Sequence, residues 1–321
     1  MRDLHDNFVK TLYSKVPKKT DLANKISDIL LIEKESAYRR LTGKVQFSVR
    51  EMGTLANTFN ISIDNLLHLS KEYQWLPFSL DAPYKSTTID VLCDIILSRL
   101  KRMIEISQMP AEIGGVHNSI PLEFSVHHPL LMKFLFFKWG HYFVGTEEFE
   151  NFSEWEIPCE LNSIKEKIEQ IHCAKILYIW DNSLIWTLAN EIEYFYRIHA
   201  ITAKEKEELK EELKKQLTQL EQYLKGTFIP ENMIAAEAEF YVSMIGIGVT
   251  CQYHASQKEC LFTYHTNFSQ AFVDNCYENC IEWINSIKSL RKTSVLLSGS
   301  GGIERRSFFN KQHQIIDLIL G

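Results

Sequence analysis

Residues 22–43 read Leu22-Ala23-Asn24-Lys25-Ile26-Ser27-Asp28-Ile29-Leu30-Leu31-Ile32-Glu33-Lys34-Glu35-Ser36-Ala37-Tyr38-Arg39-Arg40-Leu41-Thr42-Gly43. Two short amphipathic stretches meet here at a turn around Leu31 to Glu33, which is too short to do anything but fold the second across the first. In the first stretch Leu22, Ala23, Ile26, Ile29 and Leu30 recur with a period near 3.6, the mark of one buried helix face. The second predicts a helix from about Lys34 to Thr42, with Ala37 and Leu41 one turn apart and facing inward. Gly43 stands where a left-handed C-terminal residue belongs. The small Ala37 lets the two helices approach closely where they cross.

Upstream, Leu4, Phe8, Leu12 and Val16 line one face of a helix that stops at Pro17. Downstream, Ser48-Val49-Arg50-Glu51 is a capping box, and it predicts a fourth helix burying Val49, Met52, Leu55, Ala56 and Phe59. Ser62 caps a fifth, short helix with Ile63, Leu66 and Leu67 inside. With Ala37 and Leu41 inward, the third helix presents Glu35, Ser36, Arg39 and Arg40, with Lys34 at its start and Lys44 just beyond its end. Arginine donates bidentately to guanine O6 and N7, worth about 1–3 kcal/mol of base discrimination for each good pair. Ser36 is short enough for a base or phosphate contact, and Lys34 and Lys44 suit phosphates on either side. Tyr38 can pack its ring on the module while its hydroxyl reaches a phosphate. These seven positions are the expected contacts to double-stranded DNA. The bland alternative is a solvated basic face that touches no nucleic acid.

Leu22-Ala23, the turn at Ile32, Ala37, Gly43, Phe47-Ser48, Leu55-Ala56, Phe59-Asn60-Ile61-Ser62 and Asp64-Asn65-Leu66-Leu67 together resemble the Cro/C1-type (XRE) helix-turn-helix family. The likeness covers about the first 70 residues and all five helices. It implies operator reading by the third helix, usually in a dimer. The chain departs from the pattern at Arg40 and Leu41, where the family commonly has an apolar residue and then a glutamate before the glycine.

The whole chain has 321 residues, 45% hydrophobic and 24% charged, which suits two ordinary globular domains. Residues 1–70 hold 11 Lys and Arg against 8 Asp and Glu, whereas the remainder holds 24 against 33. A mildly basic head on an acidic body fits a small nucleic-acid module joined to a domain kept off the polyanion. Pro129 to Phe143 is the longest apolar run; it is too short to span a bilayer and carries Lys133, Lys138 and His141. Seven cysteines suggest no disulfide framework, and no signal-peptide pattern opens the chain, so cytoplasmic residence is expected.

The division expected is a helix-turn-helix domain over 1–70, a linker over 71–86 containing Pro77 and Pro83, and an effector-binding or oligomerisation domain over 87–321. The fold class expected is mainly α, α+β overall, with a larger and mostly helical second domain carrying a small antiparallel β element. Helices are predicted over 87–107, 129–143, 161–171, 184–197, 204–224, 270–290 and 308–320. Lys175 to Trp180 reads as a strand or a buried helix segment, and Val295-Leu296-Leu297 as a short strand or turn. Phe240–Tyr253 and Cys260–Phe268 read as a hairpin around Ala255–Glu259. Leu209, Leu213, Leu217, Leu220 and Leu224 approximate a coiled-coil seam, or else the inner face of a helix laid on its own domain.

Chemical signals in this second part are weak. Ser298-Gly299-Ser300-Gly301-Gly302 before Arg305 and Arg306 lacks the ending of a P-loop and reads as a flexible turn, with an anionic effector at Arg305 or Arg306 as the minor alternative. Cys276, Cys280, His254 and His265 have no zinc spacing, so no metal is expected. No cofactor motif and no catalytic nucleophile or acid/base pair stands out. Clustered aromatics such as Phe134, Trp139, Trp180 and Phe195 form a core and can line an effector pocket. The sequence therefore predicts a homodimeric DNA-binding transcription regulator with a small-molecule effector, not an enzyme and not membrane-bound. The competing class is an enzyme or interaction scaffold whose helix-turn-helix serves autoregulation or contacts.

Overall fold

The structure is a computed structural model that describes residues 4–59, 61, 63, 66, 79–81, 88–107, 110–143, 151–156, 160–171, 173–226, 237–265 and 271–321. The chain forms two compact units, Met1–Phe78 with Asp274–Asn279, and Ser79–Val273 with Cys280–Gly321.

The first unit contains α1 (Leu4–Lys15), α2 (Lys19–Leu30), α3 (Lys34–Leu41) and α4 (Val49–Phe59). Phe8, Leu12, Leu22, Ala23, Ile26, Ala37, Leu41, Phe47, Met52, Leu55 and Ala56 form its core. The Ser48–Glu51 capping box is closed: the Ser48 N–H donates to Glu51 Oε2 at 2.8 Å, and the Glu51 N–H donates to Ser48 Oγ at 3.2 Å. Val49 departs from expectation, since it opens α4 one turn before Met52 and is 87% exposed. Ile63 and Leu66 are helical. Ser62, Leu67 and, apart from residues 79–81, the expected linker lie outside the described residues.

The second unit corrects the expectation of a mostly helical domain with a small β element. Its frame is an eight-stranded mixed sheet in the order β1-β7-β6-β5-β2-β3-β4-β8. The strands are β1 (Ser79–Asp81), β2 (Glu112–His117), β3 (Lys175–Trp180), β4 (Glu237–Ser243), β5 (Thr250–Ala255), β6 (Cys260–His265), β7 (Ala271–Asp274) and β8 (Ser294–Leu296). β2, β3 and β4 run parallel, in the register Gly115↔Tyr178↔Phe240. β5 pairs antiparallel with β2 and forms a hairpin with β6. The expected hairpin is thus confined to β5 and β6, whereas Phe240 belongs to β4, which pairs with β3 and β8.

The helices that follow in the chain are α5 (Ile89–Ser107), α6 (Pro129–Phe143), α7 (Glu160–Glu169), α8 (Trp186–Arg197), α9 (Ala203–Lys225), α10 (Tyr277–Leu290) and α11 (Gly302–Leu320). Ile113, Ile176, Tyr178, Trp180, Phe240 and Val242 point to one sheet face and share a core with residues of α6, α7, α8, α9 and α11. Phe262 faces the other way, where it stacks on Trp283 of α10 at 5.0 Å. The α9 leucines are 0–3% exposed inside this core, against α6, α8 and α11. The leucine seam is satisfied within its own unit.

Candidate nucleic-acid interface and ligand cavity

α3 is presented as its pattern demands. Ala37 is fully buried and Leu41 nearly so. Lys34, Glu35, Arg39 and Lys44 are exposed, while Ser36, Tyr38 and Arg40 are half-buried. Gly43 takes φ +72° and donates its N–H to the Arg40 carbonyl at 3.0 Å, ending the helix as the sequence indicates. At the other end, Leu31 occupies the turn with φ 54° and 89% exposure. That left-handed conformation disfavours a side chain. The turn is locked by Ser27, whose hydroxyl donates to the Ile32 carbonyl at 2.6 Å and whose carbonyl accepts the Ile32 N–H at 3.1 Å.

The two arginines differ. Arg40 forks onto Glu51, with Nη2 2.8 Å from Oε1 and Nε 3.2 Å from Oε2, and its Nη1 donates to the Ser36 carbonyl at 3.2 Å. Burial pushes the Glu51 carboxyl up, but the bonds from Arg40 and Ser48 outweigh it and hold the group below the usual carboxylate range. Arg40 thus braces α3 against α4, and Arg39 is left exposed. His5 of α1 adds a second brace: its Nδ1 accepts the Phe47 N–H at 3.3 Å, so Nε2 carries the proton donated to the Arg40 carbonyl at 3.0 Å. Lys19 was not singled out in the sequence. Its ammonium lies 5.8 Å from the centre of the Tyr38 ring, which places one more cation beside α3. The adjacent pair Lys18-Lys19 was the available signal.

Arg305 and Arg306 are not brought together. Arg305 is buried and donates from Nη1 to the carbonyls of Leu297 at 2.7 Å and Gly299 at 3.2 Å, while Arg306 is exposed. The loop amides are also engaged: Gly299 donates to Leu224, Gly301 to Ser298 and Gly302 to Ser300.

The sheet unit contains a cavity of about 480 Å³ between α5 and the face of β2, β5 and β6 that carries Ile113, Gln252 and Leu261. Among its polar walls are Arg99, His117, Glu123, Gln252, His254 and His265. His254 Nε2 lies 2.7 Å from the Ser107 hydroxyl. Glu123 accepts from the Tyr178 hydroxyl, and from Gln252 Nε2 at 3.3 Å; its burial raises the carboxyl above its ordinary value. Burial also lowers His117 to about 3, aided by His265, and lowers His254 to about 4. His265 falls to about 4 through burial and the neighbouring charge of Arg99. All three imidazoles are neutral at pH 7. No group of three or more metal-ligating side chains occurs among the described residues.

Residues 7–111 match the BetR domain. The BetR domain is a helix-turn-helix type of DNA-binding domain, and the match takes in all of α2, α3 and α4 and reaches through α5. It covers less than half of the chain, so the likeness concerns the N-terminal part. No curated protein and no solved structure matches the chain. No helix among the described residues is long and apolar enough to cross a membrane.

Proposed function

We propose that this protein is a sequence-specific transcription regulator that docks α3 in the major groove in the manner of the Cro/C1 family. The observation that carries the reading is the exposed set Lys34, Glu35, Arg39 and Lys44 on a helix fixed by Ala37, Leu41 and the Arg40–Glu51 fork, within the BetR match. Arg39 reads a base edge, Lys34 and Lys44 neutralise phosphates, and Ser36 and Tyr38 make short-range contacts. Arg40 positions the helix. The protein binds as a homodimer on two half-sites about 34 Å apart. The sheet unit binds an effector, supplies the dimer contact, or both. An effector changes expression only through different affinities for DNA-competent and DNA-incompetent states.

Selection of DNA by the full-length protein tests this directly, and an enriched inverted repeat is the expected result. Arg39→Ala should weaken retardation of the selected duplex at least tenfold, by loss of one base pair's bidentate contact. Failure to enrich any sequence overturns the reading and returns the enzyme or scaffold alternative.

A further inference from the structure

We propose that the cavity between α5 and the β2–β5–β6 face binds an uncharged, mostly apolar molecule with one hydrogen-bonding end, seated with that end at His117. The proposal rests on the reading of the sheet unit as effector-binding, and it names the effector's chemistry.

Strand register sets the floor of the cavity in three ranks. His254 stands between Ile113 and Leu261 in the first, Gln252 between Gly115 and Thr263 in the second, and Thr250 opposite His265 in the third. His117 and Asn118 close the third rank at the end of β2. There Asn118 Oδ1 accepts from the Thr250 hydroxyl at 2.6 Å, and the Asn118 N–H donates to Thr250 Oγ1 at 3.3 Å. In the first rank His254 is tied to the Ser107 hydroxyl at 2.7 Å. The floor therefore grades from Ile113 and Leu261 at one end to His117, Thr250 and His265 at the other, and Leu100, Met103, Leu135 and Trp139 add apolar walls. A volume of about 480 Å³ falls in the range of roughly 300–1,000 Å³ typical of small-molecule sites.

A polar atom of this floor lacks a partner. His117 is 2% exposed, its ring packs edge-on against Tyr178 at 4.9 Å, and its Nε2 has no hydrogen-bond partner among the described residues. The imidazole leans back over the second rank, where a Cβ on Gly115 would come within 2.7 Å of that nitrogen. Such a Cβ would stand on the same sheet face as Ile113 and His117, so the nitrogen lies over the floor of the cavity. Leaving a buried polar atom unbonded is costly, and the hydrogen-bonding end of a bound molecule relieves that cost.

The charges of the wall are already met. Lys138 is ion-paired with Glu191, and Arg99 is engaged within the protein. Glu123 accepts from Tyr178 and Gln252, and burial draws it toward its neutral form. The three histidines are neutral, so they donate or accept without contributing charge. A carboxylate, phosphate or ammonium placed here is buried without a counter-charge, which costs more than its hydrogen bonds return. An amide, ketone or hydroxyl is matched by the imidazole, amide and hydroxyl groups at the polar end of the floor.

The test uses full-length protein at pH 7.5 and two isosteric pairs of probes, octanamide with octanoate and 3-phenylpropanamide with 3-phenylpropanoate, with propylbenzene as the wholly apolar control. Binding is followed by titration calorimetry and by the fluorescence difference between wild type and Trp139→Phe. In at least one pair the amide should bind about tenfold or more tighter than the acid, the cost of burying an unpaired charge, with the emission change lost in Trp139→Phe. His117→Phe keeps the ring and removes the nitrogens; it should weaken the amide about fivefold, the loss of one ordinary hydrogen bond, and leave propylbenzene within about twofold. His117→Gln, which keeps a bonding end, should recover part of the loss. Absence of binding by both amides, an acid as tight as its amide, or a folded His117→Phe that binds the amide as wild type does each overturns the proposal. If His117→Phe shows no cooperative melt, the amide and acid affinities of the wild type decide alone. Retardation of the selected DNA by ligand-free protein is measured separately. Amide binding without DNA binding strikes the regulator reading alone, and DNA binding without amide binding strikes the ligand alone.

Discussion

Arg39 and Arg40 are sequence neighbours with opposite duties. Arg40 is engaged by Glu51 and by the Ser36 carbonyl, so its guanidinium is part of the scaffold. Arg40→Ala should destabilise the helical unit by about 1–2 kcal/mol, in the range of a charged hydrogen bond, while Arg39→Ala stays within about 0.5 kcal/mol of wild type. Urea unfolding of the two variants checks this, and equal effects would remove the distinction. The carboxyl of Glu51 is depressed in the folded state, so its contribution is full above the ordinary carboxylate range and is lost as pH falls through the lowered value. Leu31 is the opposite case, a side chain in a left-handed turn with little to bury it. Leu31→Gly should raise stability by about 0.5–1 kcal/mol, read as a higher melting temperature.

At the scale of elements, β2 is the instructive strand. Glu112-Ile113-Gly114-Gly115-Val116-His117 holds two glycines that weaken any strand reading, yet it lies at the centre of the sheet. The reason is close approach. A Cβ on Gly114 meets the Leu177 carbonyl oxygen at 2.5 Å, and one on Gly115 meets the Cys251 carbonyl oxygen at 2.2 Å and His117 Nε2 at 2.7 Å. Gly115→Ala should therefore force β2 and β5 apart and destabilise the sheet unit by at least about 1–3 kcal/mol, in the range of overpacked cores. Circular dichroism melts measure it, and an unchanged midpoint would contradict the packing. In α9 the leucine repeat serves the domain's own core. Leu217→Ala should lose about 2–5 kcal/mol, as a large-to-small change in a filled core does, and urea unfolding measures it. The helix also carries a capping box at Thr202 and Glu205, which fixes its start from local sequence alone.

At the scale of the molecule, burial of histidines gives the sheet unit an acid-sensitive core. His117 sits at about 3, and His128, His254 and His265 at about 4, all below the ordinary value of 6.5. For each, the unfolded chain binds a proton at higher pH than the folded one. Stability is therefore full above about pH 6.5 and falls as pH drops from there toward the folded values. Melting temperatures between pH 7 and pH 4 should show this loss, and His254→Asn should flatten part of it. A profile that is level across that window would contradict the neutral, buried state of these imidazoles.

The first four helices of the helical unit were legible because their signals are local: period 3.6 stripes, a Ser48–Glu51 box and a glycine after the helix end act over a single turn. So was the exposure of Arg39, although that of Arg40 was not, because Glu51 reaches it from another helix. In the larger unit the sequence by itself determined most helices and the β5–β6 turn. The order of the sheet, the placement of Gly114 and Gly115 at its centre, and the gathering of His117, His254 and His265 on one cavity wall were decided only by tertiary structure. The pairing of β2 with β5 joins residues more than a hundred positions apart, and no short window of sequence carries the register that brings their side chains to one face.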